Sequence, residues 1–176
     1  YTTLFRSKKI ITSILDFYFK FPIQLDFTIA FLYIYLSNKV VLFHYQILGL
    51  NDALNLTSSL IGVSISLAGF LIASLTIIIT IKSNLISKKI EDSNSALELL
   101  FNSKHYKLVV DVFKKSIVEF VIIILILFTI WNLSSSIDIN LYDQIQSSLV
   151  FITIISITRS IYVLFKVLNL GNLVKE

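Results

Sequence analysis

Charged side chains disappear from this chain for long intervals, and those intervals have the length of membrane-crossing helices. From Leu56 to Ile81 the sequence LTSSLIGVSISLAGFLIASLTIIITI carries no charge, and it exceeds the ~20 residues that an α-helix needs to cross hydrocarbon. A second aliphatic run, IVEFVIIILILFTIWNL, covers Ile117 to Leu133. Glu119 lies near its start and Trp131 near its end, where an indole favours the membrane interface. A third run extends from Ile145 to about Leu168, holds Arg159 and Lys166, and is followed by Gly171 as a helix stop. The remaining run opens at Pro22, a residue suited to a first helical turn because its missing N–H costs nothing there. It continues from Ile23 through Leu36 and on to Phe43, with Asp26 near its start. The pattern predicts one all-α domain, residues 1–176: an integral-membrane four-helix bundle with spans at about 22–43, 56–81, 117–133 and 145–168. A cytoplasmic helical hairpin, residues 82–116, extends from it.

Within the second run the small and hydroxyl residues form a series. Ser59, Gly62, Ser66, Gly69, Ala73, Thr76 and Thr80 alternate spacings of three and four. That is a heptad seam, and such a period favours a left-handed crossing near ~20°. Lipid is already apolar, so helices in a bilayer associate through close backbone approach at small residues and through Ser/Thr hydrogen bonds. The seam either packs this helix against a neighbour inside the bundle or lines a water-filled path between copies of the chain. Ser147, Ser148, Thr153, Ser156 and Ser160 of the fourth run are candidates for the same part.

Between the runs the pattern changes. In residues 1–20, Leu4, Phe5, Ile10, Ile11, Ile14, Leu15, Tyr18 and Phe19 share one helical face, with Arg6, Lys8, Lys9 and Lys20 mostly elsewhere. This reads as an amphipathic helix on an anionic leaflet, or as the flank of the first span. Val40 to Leu56, interrupted by His44, Gly49 and Asp52, reads as an interfacial segment anchored by Phe43 and Tyr45. In the 82–116 arm, Ser95 and Glu98 make a capping box, so 91–94 is the expected turn. Ser134 to Asp143 is expected to be a short acidic loop.

Charge sets the orientation. Of fifteen Lys and Arg residues, only Lys39 falls outside if both termini are cytoplasmic, the arrangement that positive-inside bias requires. This predicts four spans with both termini cytoplasmic, N-in and C-in. The composition agrees: 56% hydrophobic, 15% charged, mean hydropathy +0.84, against roughly 25% charged for a soluble domain. The net charge of +4 is accounted for by topology rather than by nucleic-acid binding. With no Cys, disulfides, thiolate metal sites and cysteine nucleophiles are excluded. The absence of Met suggests a true N-terminus upstream or a processed one, and Asp16 spoils the first twenty residues as a signal peptide.

Catalysis finds no footing. His44 and His105 are expected on opposite sides of the membrane, and no metalloprotease, nucleophile-elbow, P-loop or dinucleotide motif occurs; no enzyme, metal or cofactor is expected. The charges inside the runs are more informative, because an ionisable group in hydrocarbon tends to face protein or water. Asp26, Glu119, Arg159 and Lys166 come from three runs and fall in the cytoplasmic half. Arg159 lies deepest from its end and is expected to pair with Glu119 or Asp26, either as a lock on the bundle or as a charged constriction that senses voltage or protons. The arm lysines Lys88, Lys89, Lys104, Lys107, Lys114 and Lys115 would contact anionic lipid or a cytoplasmic protein partner.

The stretches SSLIGVSISLAGFLIASLTIIITIKS and ITRSIYVLFKVLNL, within roughly Leu54 to Leu170, resemble the membrane subunit of the Rex phage-exclusion system. The layout is also similar to other small four-span proteins of antiphage loci, such as the Kiwa membrane subunit and membrane accessories of some CRISPR systems. The resemblance implies a homo-oligomeric inner-membrane effector that alters permeability when phage infection triggers it. The 82–116 arm is longer than the Rex pattern requires, which turns attention to docking of a partner. Two other expectations stand beside this one: a scaffold that holds a cytoplasmic protein at the membrane, and a constitutive small channel or transporter.

Overall fold

A computed structural model describes residues 17–37, 49–84 and 104–172 of the chain. Within them four α-helices follow in order: α1 Pro22–Ser37, α2 Leu50–Asn84, α3 Lys104–Asn132 and α4 Ile139–Asn172. A helical turn at 17–20 leads into α1, and the described residues contain no strand. The fold is all-α. Leu50–Ser83 and Ile139–Val167 are long and apolar enough to cross a membrane, which covers two of the four expected spans. At 1.5 Å per residue, α2 and α4 are each about 50 Å long, well beyond the ~30 Å hydrocarbon core. α1 is a shorter apolar helix of 16 residues. The remainder of the expected first span and Lys39 lie outside the described residues, as do His44 and the amphipathic face before residue 17.

Two boundaries differ from expectation, for local reasons. The segment up to Leu56, read as interfacial, is helical from Leu50 onward. Its first turn is secured by the Gly49 carbonyl accepting the Ala53 N–H at 3.1 Å, with Asp52 at the positive end of the helix dipole. The expected acidic loop is also shorter. A turn at Leu133–Ile137 closes on the Leu133 carbonyl, and Asp138 then caps α4, its side chain accepting the Asn140 N–H at 3.2 Å. Asn140 and Asp143 are therefore helical, and Asp143 is buried. The arm keeps its expected roots, since α2 runs through Lys82 and α3 begins at Lys104. Lys88, Lys89, the 91–94 turn and the Ser95–Glu98 box lie outside the described residues.

α4 is the hub, touching α1, α2 and α3, while α2 packs most extensively on α3. The buried face of α3 is a stripe with alternating spacings of three and four: Phe113, Ser116, Phe120, Ile123, Leu127 and Ile130. The buried face of α2 is Ala53, Thr57, Ile61, Ser64, Ala68, Leu71, Ser74 and Ile78.

This contact corrects one reading of the small-residue seam. Ser59, Gly62, Ser66, Gly69, Ala73, Thr76 and Thr80 are all exposed, so the seam does not pack inside the bundle. It is offset from the buried stripe by two residues, roughly 200° around the helix, and faces away from the chain's own core. A methyl group built on Gly62 or Gly69 would meet nothing within 4 Å. Ser59, Ser66 and Thr76 each donate to the carbonyl four residues back, at 2.9, 2.9 and 2.8 Å. Their hydrogens are thereby satisfied within the helix, as an exposed hydroxyl in a dry environment requires.

The two α2 faces therefore respond differently to substitution. Phe120→Ala, opposite the buried face, should cost about 3–5 kcal/mol through the cavity it leaves. Gly69→Ala should leave the detergent-solubilised monomer unchanged or slightly more stable, because Ala is about 1 kcal/mol better than Gly inside a helix. Thermal unfolding followed by circular dichroism separates the two. Equal losses would mean that the seam is an internal contact.

Candidate functional site

At one end of the bundle, side chains from three helices and the 17–20 turn close around Arg159, which is 4% exposed. Its guanidinium fork divides between two carboxylates. One terminal nitrogen donates to Asp26 Oδ2 of α1 at 2.8 Å and to the Tyr18 hydroxyl at 2.9 Å. The other donates to Glu119 Oε2 of α3 at 2.5 Å, to Ser116 Oγ at 3.1 Å and to Ser156 Oγ at 3.3 Å. Helical spacing explains why these groups meet. Ser116 and Glu119 are three apart on the buried α3 face, and Ser156, Arg159 and Ser160 share one α4 face. Ser160 joins the two sets, its hydroxyl donating to the Ser156 carbonyl at 2.9 Å and lying 2.8 Å from Ser116 Oγ.

Tyr18 is the fourth wall. Its hydroxyl donates to Asp26 Oδ2 at 3.1 Å while accepting from Arg159, and its ring lies 5.5 Å from the guanidinium carbon. Burial pushes the phenol, which precedes the first expected span, up to about 12, against the opposing pull of Arg159. Tyr18 thus stays protonated and keeps donating.

The sequence anticipated one carboxylate partner for Arg159; the structure supplies both Asp26 and Glu119. It leaves Lys166 out, exposed and stacked 5.1 Å from the Tyr162 ring. Lys115 joins the periphery, bonding the Lys20 carbonyl at 2.9 Å and Asp111 at 2.5 Å. Lys107 and Lys114 are exposed on α3, and Lys104 opens that helix. Ser116 and Tyr18 were not anticipated in the cluster, although the three-residue spacing of Ser116 and Glu119 was a readable sign. Ser148, Thr153, Ser156 and Ser160 of α4 are buried. They face the bundle interior and do not line a path on its outside.

A second polar group, absent from the sequence reading, lies toward the other end. Thr57 Oγ1 donates to the Ala53 carbonyl at 2.9 Å. Its single hydrogen is then used, so Tyr142 donates to Thr57 at 2.6 Å. Gln146 adds donor contacts to Thr57 Oγ1 at 2.9 Å and to the Ala53 carbonyl at 3.1 Å. Gln146 and Arg159 are about 20 Å apart along α4. Phe120, Ile123, Leu127 and Ile152 fill the core between the two polar groups.

Among the described residues no group of His, Cys, Asp and Glu could hold a metal ion. No family model matches the chain, and comparison with curated proteins and with solved structures finds no similar one.

The two polar groups make graded predictions. Arg159→Gln leaves two buried carboxylates without their cation and should cost about 3–5 kcal/mol. Tyr142→Phe removes one hydrogen bond and should cost about 1 kcal/mol. Chemical unfolding in detergent ranks them, and the reverse order would deny Arg159 its place as the bundle's electrostatic centre.

Proposed function

We propose that this chain is a four-span inner-membrane protein that assembles with copies of itself through the outward α2 seam and alters membrane permeability when triggered, as an effector of phage defence. The observation that carries the membrane part is an inverted distribution of side chains. Large apolar residues are exposed on every helix, among them Phe31 at 70%, Ile77 at 60%, Leu125 at 61% and Phe165 at 58%. Arg159, Asp26, Glu119 and a dozen other polar residues are buried. Water penalises such a surface, whereas lipid accepts it and penalises the reverse. The apolar part of α3 shares this character, with Val118, Val121 and Phe128 exposed and Trp131 near its end. That supports counting it as a span.

The self-association part rests on α2. A face with Gly62, Gly69 and Ala73 outward, and room for a methyl on each glycine, lets a second helix approach closely. On this reading any ion path runs between copies, along the exposed α2 seam. The charged cluster holds α1, α3 and α4 together and faces the cytoplasmic side under the N-in topology. The defence role is taken from the resemblance to Rex-type membrane subunits.

The chain has no cysteine, so single substitutions report contacts cleanly. Ser66→Cys in native membranes should cross-link between copies on mild oxidation, and Ser64→Cys on the buried face should not. Inner-membrane potential during phage challenge tests the effector role. Depolarisation only on challenge, lost in Gly69→Leu at equal abundance, is the expected result. Depolarisation without phage would favour a constitutive channel. An unchanged potential with cognate partners present would leave a scaffold for a cytoplasmic protein.

A further inference from the structure

The Arg159 cluster does not balance its charge. One guanidinium faces two carboxylates, which leaves −1 in a site where Asp26 is 1% and Glu119 0% exposed. Arg cannot lose its proton, so a surplus negative charge stays buried unless something positive joins it. Among the described residues no other cation pairs with it. Lys115 bonds the Lys20 carbonyl and Asp111, Lys82 sits 3.9 Å from the Tyr106 ring, and Lys166 sits over Tyr162. The groups that face the cluster are Tyr18 from the leading turn, Asp26 from α1, Ser116 and Glu119 from α3, and Ser156, Arg159 and Ser160 from α4. The α2 helix contributes no charged group to it.

The cluster also leaves hydrogen-bonding groups unanswered, the Arg159 Nε–H and one oxygen of each carboxylate. Each carboxylate spends one oxygen on Arg159, and the other, Asp26 Oδ1 or Glu119 Oε1, is buried with no hydrogen-bond partner among the described residues. An orphaned buried carboxylate oxygen is costly. The two carboxylates are not equivalent, because Asp26 Oδ2 receives both Arg159 and Tyr18.

We propose that the cluster is a proton-binding site: one proton is held on the carboxylate pair, carried by Glu119, while Asp26 stays ionised against Arg159 and Tyr18. Binding requires no bond rearrangement beyond O–H formation at Glu119, with the proton taken from water. Bound, it brings the cluster to neutrality. Released, it sets two carboxylates on α1 and α3 against each other across one guanidinium. The site thus ties proton occupancy to the contact among three helices, whatever larger task the assembly performs.

The test is infrared spectroscopy of the purified full chain in nanodiscs, following the carbonyl stretch of a protonated carboxylic acid. Wild type at neutral pH should show such a band, shifted in heavy water and titrating away as pH rises. Glu119→Gln should abolish it, because the acid is gone. Asp26→Asn should abolish it as well, because removing the surplus charge lets Glu119 ionise. Glu119→Gln should also keep wild-type thermal stability, whereas Arg159→Gln should not. Absence of the band in wild type overturns the proposal without recourse to any variant. A band that survives both substitutions also overturns it, since it then belongs to another buried acid such as Asp143. Stabilisation by sodium over choline at equal ionic strength, with no acid band, overturns it in favour of an alkali cation.

Discussion

A guanidinium taken out of water must have its charge and its hydrogen bonds answered by protein, and that requirement organises one end of this molecule. Arg159 cannot be answered from α4 alone. Its carboxylate partners come from α1 and α3, and Tyr18 reaches in from the turn before α1. A helix pair held only by dispersion can slide against lipid at little cost, because lipid offers similar contacts. Contacts of the guanidinium to two carboxyl groups at 2.8 and 2.5 Å, both almost wholly buried, fix the depth and rotation of three helices against one another. α1 depends on this most. It is the shortest helix, it packs chiefly on α4, and Asp26 and Ala30 are among its few buried side chains.

The rest of the bundle is held by size complementarity. Bulky buried side chains of α3, Phe113, Phe120, Ile123 and Leu127, and smaller buried residues of α2, Ser64 and Ala68, belong to the two helices that pack most extensively. Two polar groups are buried, the Arg159 cluster and the Thr57–Tyr142–Gln146 group, with Ser64, Ser148 and Thr153 buried besides. This arrangement ties α4 into both groups. It also leaves the outward α2 seam as the surface whose small residues the chain itself does not use.

The seam illustrates how one helix can carry two patterns. Small residues occur on opposite sides of α2, and both series recur at helical spacings of three and four. Periodicity identifies a face suited to close packing without naming the helix that will occupy it. Counting the smallest residues favoured the Ser59–Thr80 series, whereas burial went to the series that mixes Ser64 and Ala68 with Leu71 and Ile78. The bulky α3 stripe needs apolar area to bury as well as space, and only the mixed face supplies both.

By itself the sequence determined the helical class, the positions of the long apolar segments and the pairing chemistry of Arg159. These follow from local facts: uncharged length, helical period, and the cost of an ionisable group away from water. It also carried the sign of the cluster, since Asp26 and Glu119 were readable as partners. Only the tertiary structure decided that both carboxylates engage Arg159 at once and that Lys166 stays out. Tertiary structure also turned the glycine seam outward and drew Tyr142 and Asp143, read from sequence as loop, into the core beside Gln146 of the fourth run. Those outcomes depend on the relative rotation of whole helices, which is set by the sum of contacts across several interfaces. No single stretch of sequence contains that sum.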